Sequence, residues 1–244
     1  MRTPTGAIWR KELRKNLRTP SAWFVFAVSA ALSGLGFSML LRFGHLAVGD
    51  LIPSFLESLL FTLPVPVAFF TMPLFARDRA NRTLETLLTA PVTDAEVVVG
   101  KFLAALLLSW TALAFCTAGF AIHLHLSEPV PPYAPGAFAG AVFAAALAAL
   151  ALTAFGTLVS LLARREAAAA AITLIAGLVA AALGIDFLGL ALPEKIDPLF
   201  SLACFARGIA DSRPIFFLLS LAALILFCAV RLLESRRWLS STED

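Results

Sequence analysis

The side chains able to do chemistry in this sequence are few, and they do not converge. His123 and His125 flank Leu124, but two imidazoles beside one leucine fall short of the ligand set that a tetrahedral metal centre takes. Cys116, Cys204 and Cys228 are single thiols in or between apolar stretches; without the paired spacing of a framework they read as small packing residues. No HExxH and no GxSxG occurs, and no helix face carries paired carboxylates, so an integral membrane enzyme, for instance one acting on lipids, finds no support. The one Gly-Lys pair, Gly100-Lys101, is followed by Phe102 and has Ala95 where a phosphate-binding loop requires glycine. Any nucleotide chemistry belongs to another polypeptide.

The elements that hold these residues are written for lipid. Of 244 residues 60% are hydrophobic and 14% charged, with a mean hydropathy of +0.89, whereas a soluble domain is about a quarter charged. Hydrophobic runs at about 21–41, 55–76, 96–122, 137–163, 167–192 and 214–233 are each near the roughly 20 residues that a bilayer core demands, which predicts six transmembrane helices in one domain over residues 1–244. The basic start before the first run resembles a signal peptide in outline, but secretory apolar regions are only about 7–15 residues long, so the run reads as a retained span.

Lys and Arg set the orientation, because short cytoplasmic loops retain them. With the N-terminus inside, fifteen of the 19 lie on the inner side, and only Arg42, Lys195, Arg207 and Arg213 lie outside. Both termini are therefore expected in the cytoplasm. Asp186 falls about 30 Å along a helix from Glu166, at the opposite interface, and Glu57 sits at the outer start of the second span. Neither reads as a midplane ion site, which weakens a secondary transporter. The net charge of +3 is explained by topology, without nucleic acid.

Three segments carry more than hydropathy. Residues 5–18 place Trp9, Leu13 and Leu17 at four-residue steps beside Arg10, Arg14 and Arg18, a basic amphipathic helix suited to the inner interface, with Thr19-Pro20 opening the first span. The second span carries Pro64, Pro66 and Pro73, which remove backbone donors and favour kinks, and the fourth opens with small residues around Gly136 and Gly140 that admit a close neighbour. Between the second and third spans, Leu84, Leu87, Leu88 and Val92 form one apolar face, with Glu85 elsewhere; Pro91 ends that helix, and Thr93-Asp94-Ala95-Glu96 has capping-box spacing. In the outer stretch 193–213, Asp197-Pro198 and Gly208 bracket a segment too apolar for a solvated loop.

Thr83-Leu84-Glu85-x-Leu87-Leu88-x-x-Pro91, followed by Gly100-Lys101, resembles the segment after the second span of ABC-2-type transporter permeases; Arg82 stands where that family commonly has glycine. Residues 205–238, FARGIADSRPIFFLLSLAALILFCAVRLLESRRW, are similar to the last span of the gliding-motility-type branch. The resemblance implies the permease subunit of an exporter in a bacterial cytoplasmic (inner) membrane, paired with a second permease as homo- or heterodimer. It also implies a separate ATP-binding subunit that holds ATP and Mg; this chain would bind no cofactor and no metal. It makes residues 84–91 a coupling helix, with Leu84, Glu85, Leu87, Leu88 and Pro91 meeting the ATPase. The N-terminal helix, with Trp9, Arg10, Leu13, Arg14 and Leu17, becomes an interfacial connecting helix. A large external domain, where one exists, belongs to the partner. Composition alone also leaves room for a membrane scaffold without transport activity.

Overall fold

The computed structural model describes residues 4–43, 51–80, 93–126, 135–183, 200–209 and 211–240, and among these every regular element is helical. In chain order they are α1 (Pro4–Leu17), α2 (Pro20–Phe43), α3 (Leu51–Thr62), α4 (Pro64–Thr71), α5 (Ala76–Ala80), α6 (Asp94–Leu126), α7 (Pro135–Leu162), α8 (Glu166–Leu183), α9 (Phe200–Ala206) and α10 (Ser212–Ser240). Five described stretches are long and apolar enough to cross a bilayer: Pro20–Leu40, Leu51–Arg79, Asp94–Ile122, Pro135–Leu162 and Ser212–Ser235. They coincide with five of the six expected runs. The apolar part of α8, Glu166–Ala182, is shorter, and the rest of the expected 167–192 span lies outside the described residues.

Local sequence fixes where several helices begin and end. At the start of α6, the Glu96 carboxylate accepts from the Thr93 amide at 2.9 Å and the Thr93 hydroxyl accepts from the Glu96 amide at 3.3 Å, the expected capping box. The Trp23 indole donates to the Leu17 carbonyl at 3.0 Å and ties the end of α1 to α2. α9 stops at Gly208, whose φ of 80° only glycine adopts without strain, while Ile209 N–H returns to Cys204 O at 2.9 Å. Asp211 then accepts from Arg213 N–H at 3.0 Å and opens α10.

The proline-rich second span is divided, but its two halves respond differently. Leu63 keeps helical dihedrals (φ −53°, ψ −38°), so at Pro64 and Pro66 the chain loses donors while continuing in the helical direction. Around Pro73 the regular helix stops, and α5 is a separate short turn.

Packing is densest around α7, which meets α3, α4, α6, α8, α9 and α10. Its glycines explain the closeness: a Cβ on Gly156 would lie 2.9 Å from Thr71 Cβ, and one on Gly140 would collide with the Phe205 carbonyl oxygen. On α8, a Cβ on Gly177 would lie 2.8 Å from the Pro64 ring. One apolar cluster, built around Phe37, Phe55, Leu59, Phe120 and Leu202, fills the half of the bundle away from α1. A second, around Phe26, Phe70, Phe75, Val98 and Leu161, fills the half beneath α1, and Leu13 and Leu17 pack against it.

Candidate functional site

Leu84, Glu85, Leu87, Leu88 and Pro91 fall in 81–92, outside the described residues. Both ends of that connection are described, α5 on one side and the Thr93 cap of α6 on the other. The ion pairs Arg77–Glu166 and Lys101–Asp78 lie at the α5 end.

The α5 end begins with a backbone problem. Where the helix is interrupted before α5, the Met72 carbonyl and the Ala76 amide would have bonded each other had the ladder continued. Ser160 of α7 is inserted between them: its hydroxyl donates to Met72 O at 3.1 Å and accepts from Ala76 N–H at 3.3 Å and Phe75 N–H at 3.1 Å. One buried hydroxyl thus satisfies three groups that the break would orphan.

α5 then projects two guanidiniums onto the turn between α7 and α8. Arg77 meets Glu166 bidentately, Nε to Oε1 at 3.0 Å and Nη2 to Oε2 at 2.9 Å, the planar fork geometry that lysine lacks. Glu166 is the first residue of α8, where a carboxylate also complements the helix dipole. Arg79 donates to Ala163 O at 2.8 Å and to Leu161 O, capping carbonyls left open at the end of α7. Glu12 of α1 adds a further carboxylate field at Arg77.

The fourth contact comes from α6. Lys101 is only 3% exposed; its ammonium bonds Asp78 and Leu74 O and lies 4.7 Å from the centre of the Phe75 ring. These three contacts offset the loss of water around the buried side chain. By charge distribution Lys101 is one of the inner-side cations, and nothing near it in sequence names its partner. Its position inside the apolar run 96–122 was the available signal, since a charge there needs a counter-charge. Asp78, Ser160 and Glu166 carried no comparable mark.

The connecting-helix residues divide between two surroundings. Arg10 and Arg14 are exposed, as are Lys11, Lys15 and Arg18, while Trp9, Leu13 and Leu17 are half-buried. α1 runs along α6, and its leucines rest on the protein's own core.

Away from this junction, the described residues line apolar cavities. Among the described residues no group of three His, Cys, Asp or Glu side chains could hold a metal ion. A cavity of about 310 Å³ between α3, α4, α7, α8 and α10 is lined by apolar residues such as Leu60, Pro64, Leu152 and Gly177. A cleft of about 500 Å³ between α2, α3 and α6 is lined by Gly34, Phe37, Phe55 and Cys116, among others. The described residues therefore offer packed apolar space and a polar junction at the α5 end of the connection that begins at residue 81.

A family model described as "ABC-2 family transporter protein" matches residues 7–203. No curated protein matches the chain. The family match runs from within α1 into α9, takes in the connection 81–92, and ends before the tail segment 205–238.

Proposed function

This chain belongs to the ABC-2 family of transporter proteins, and from that premise we propose that it is the membrane-spanning permease subunit of an ATP-binding-cassette exporter, driven by ATP hydrolysis in a separate subunit. The observation that carries the reading is the 81–92 connection, whose Leu84, Leu87 and Leu88 repeat lies between two anchored ends, α5 and the capped start of α6. An apolar face on a charged surface needs a cover, and in this family the cover is the ATPase. Leu84, Glu85, Leu87, Leu88 and Pro91 are then its contact residues, and ATP and Mg are bound by that subunit.

The finer parts of the proposal follow the same reasoning. Residues 167–192 form a sixth span, of which α8 is the inner part, and both termini lie in the cytoplasm of a bacterial inner membrane. α1, with Trp9 and the exposed Arg10 and Arg14, acts as the connecting helix at that interface. A second permease subunit, identical or different, completes the pathway. The tail 205–238 supports the gliding-motility-type branch, in which a partner could supply a large external domain.

The test is to express the chain with its ATP-binding subunit and replace Leu87 and Leu88 together by Glu. Two carboxylates on that face are expected to abolish co-purification and permease-dependent ATP hydrolysis while membrane insertion persists. Unchanged assembly together with unchanged hydrolysis would sink the coupling-helix assignment.

A further inference from the structure

We propose that the α5 junction is a transmission clasp: Arg77 and Arg79 bind α5 to the α7–α8 turn, so displacement of the 81–92 connection reaches that turn rather than α4. The proposal rests on the permease reading above and adds where the motion goes.

Two observations argue for it together. First, α5 is set apart from α4 within its own span. The helical ladder between α4 and α5 is interrupted, and the Met72 to Ala76 pair is joined only through a hydroxyl belonging to α7. A helix stays stiff along its axis only while that ladder is continuous, so the turn at 72–75 is the weak joint of the second span. Secondly, α5 is fastened across to another pair of helices. Arg77 grips the first residue of α8, and Arg79 grips the last carbonyls of α7. Charge-assisted, bidentate contacts hold an orientation better than apolar contacts, which can slide. Lys101, through Asp78, brings the start of α6 into the same unit, and Glu12 adds the field of α1. Three other helices, α6, α7 and α8, therefore meet at α5, and Met72–Phe75 is left as the hinge.

The clasp is tested in the assembled complex of this chain with its ATP-binding subunit, reconstituted in proteoliposomes. Cys116, Cys204 and Cys228 are replaced by Ala, and an environment-sensitive fluorophore is attached at Arg164→Cys, an exposed position in the α7–α8 turn. Emission is compared between the ADP state and the ATP–vanadate state. With the clasp intact, a nucleotide-dependent change in emission is expected. Glu166→Arg is expected to remove more than about half of that change while the ATPase stays bound, and the exchange Arg77→Glu with Glu166→Arg is expected to restore it. Glu166→Gln, which keeps the shape and loses the charge, gives a second reading with the same expected direction should the reversal fail to fold.

The outcomes separate the two levels. Failure of the wild-type chain to assemble with the ATPase would overturn the permease reading, and the clasp with it. Full assembly with no nucleotide-dependent change, or with an undiminished change in Glu166→Arg or Glu166→Gln, would overturn the clasp and leave the permease reading standing. A static structural role predicts lower stability in both single variants and no recovery of the nucleotide response on exchange.

Discussion

Replacing Lys101 by Met removes three interactions at once: the pair with Asp78, the bond to Leu74 O and the contact over Phe75. The thioether keeps the length of the stem but leaves a carbonyl and a carboxylate without their cation. Asp78 is 24% exposed, so water replaces part of what is lost. The expected cost is about 1–3 kcal/mol, read as a lower thermal unfolding midpoint of the purified chain in detergent. Adding Asp78→Asn should recover part of it, because the carboxylate that faced the lysine is then neutral. Residue-scale features were legible wherever the partners are close in sequence. The Thr93–Glu96 box and the Gly208 terminator are such cases, since three or four residues contain the whole physical cause. The bonds of Ser160 were not, because their partners lie 84 to 88 residues away and only the folded bundle brings them together.

At the scale of elements, the bundle is held by close approach more than by bulk. Lipid tails are as apolar as leucine, so helices in a membrane associate through fit, and small residues set the fit. Gly156 and Gly34 make the contrast testable. A Cβ at Gly156 would press on Thr71 of α4, whereas one at Gly34 meets nothing within 4 Å. Gly156→Ala should therefore destabilise by about 1–3 kcal/mol, and Gly34→Ala should be neutral or slightly stabilising because alanine favours the helix. The same thermal assay in detergent decides it. Hydropathy and proline positions foretold the divided second span, but they did not distinguish its two breaks. At Pro64 the dihedrals continue the helix, while ahead of α5 the ladder opens around a foreign hydroxyl. That difference depends on what packs alongside, which no local pattern contains. The amphipathic pattern of α1 likewise left open what would cover it, and Leu13 and Leu17 rest on the inner cluster while the cations stay outside.

For the whole molecule, the proposed function makes the chain a machine part driven from another subunit. Composition and charge distribution already pointed to a multi-pass helical protein, and five described spans agree with five expected runs. The family match over residues 7–203 supplies the transporter class, and the junction at α5 suggests how force from outside the bilayer enters the bundle. The central claim is that the ATP-binding subunit sits on the 81–92 connection. It is tested most directly by placing a photo-cross-linking amino acid at Leu87 or Leu88 in the assembled complex, with Ile122 and Ile209, exposed at the opposite end of the bundle, as controls. Adducts with the ATP-binding subunit are expected at 87 and 88, and none at 122 or 209. Adducts absent at 87 and 88 in a complex that still hydrolyses ATP would contradict the claim.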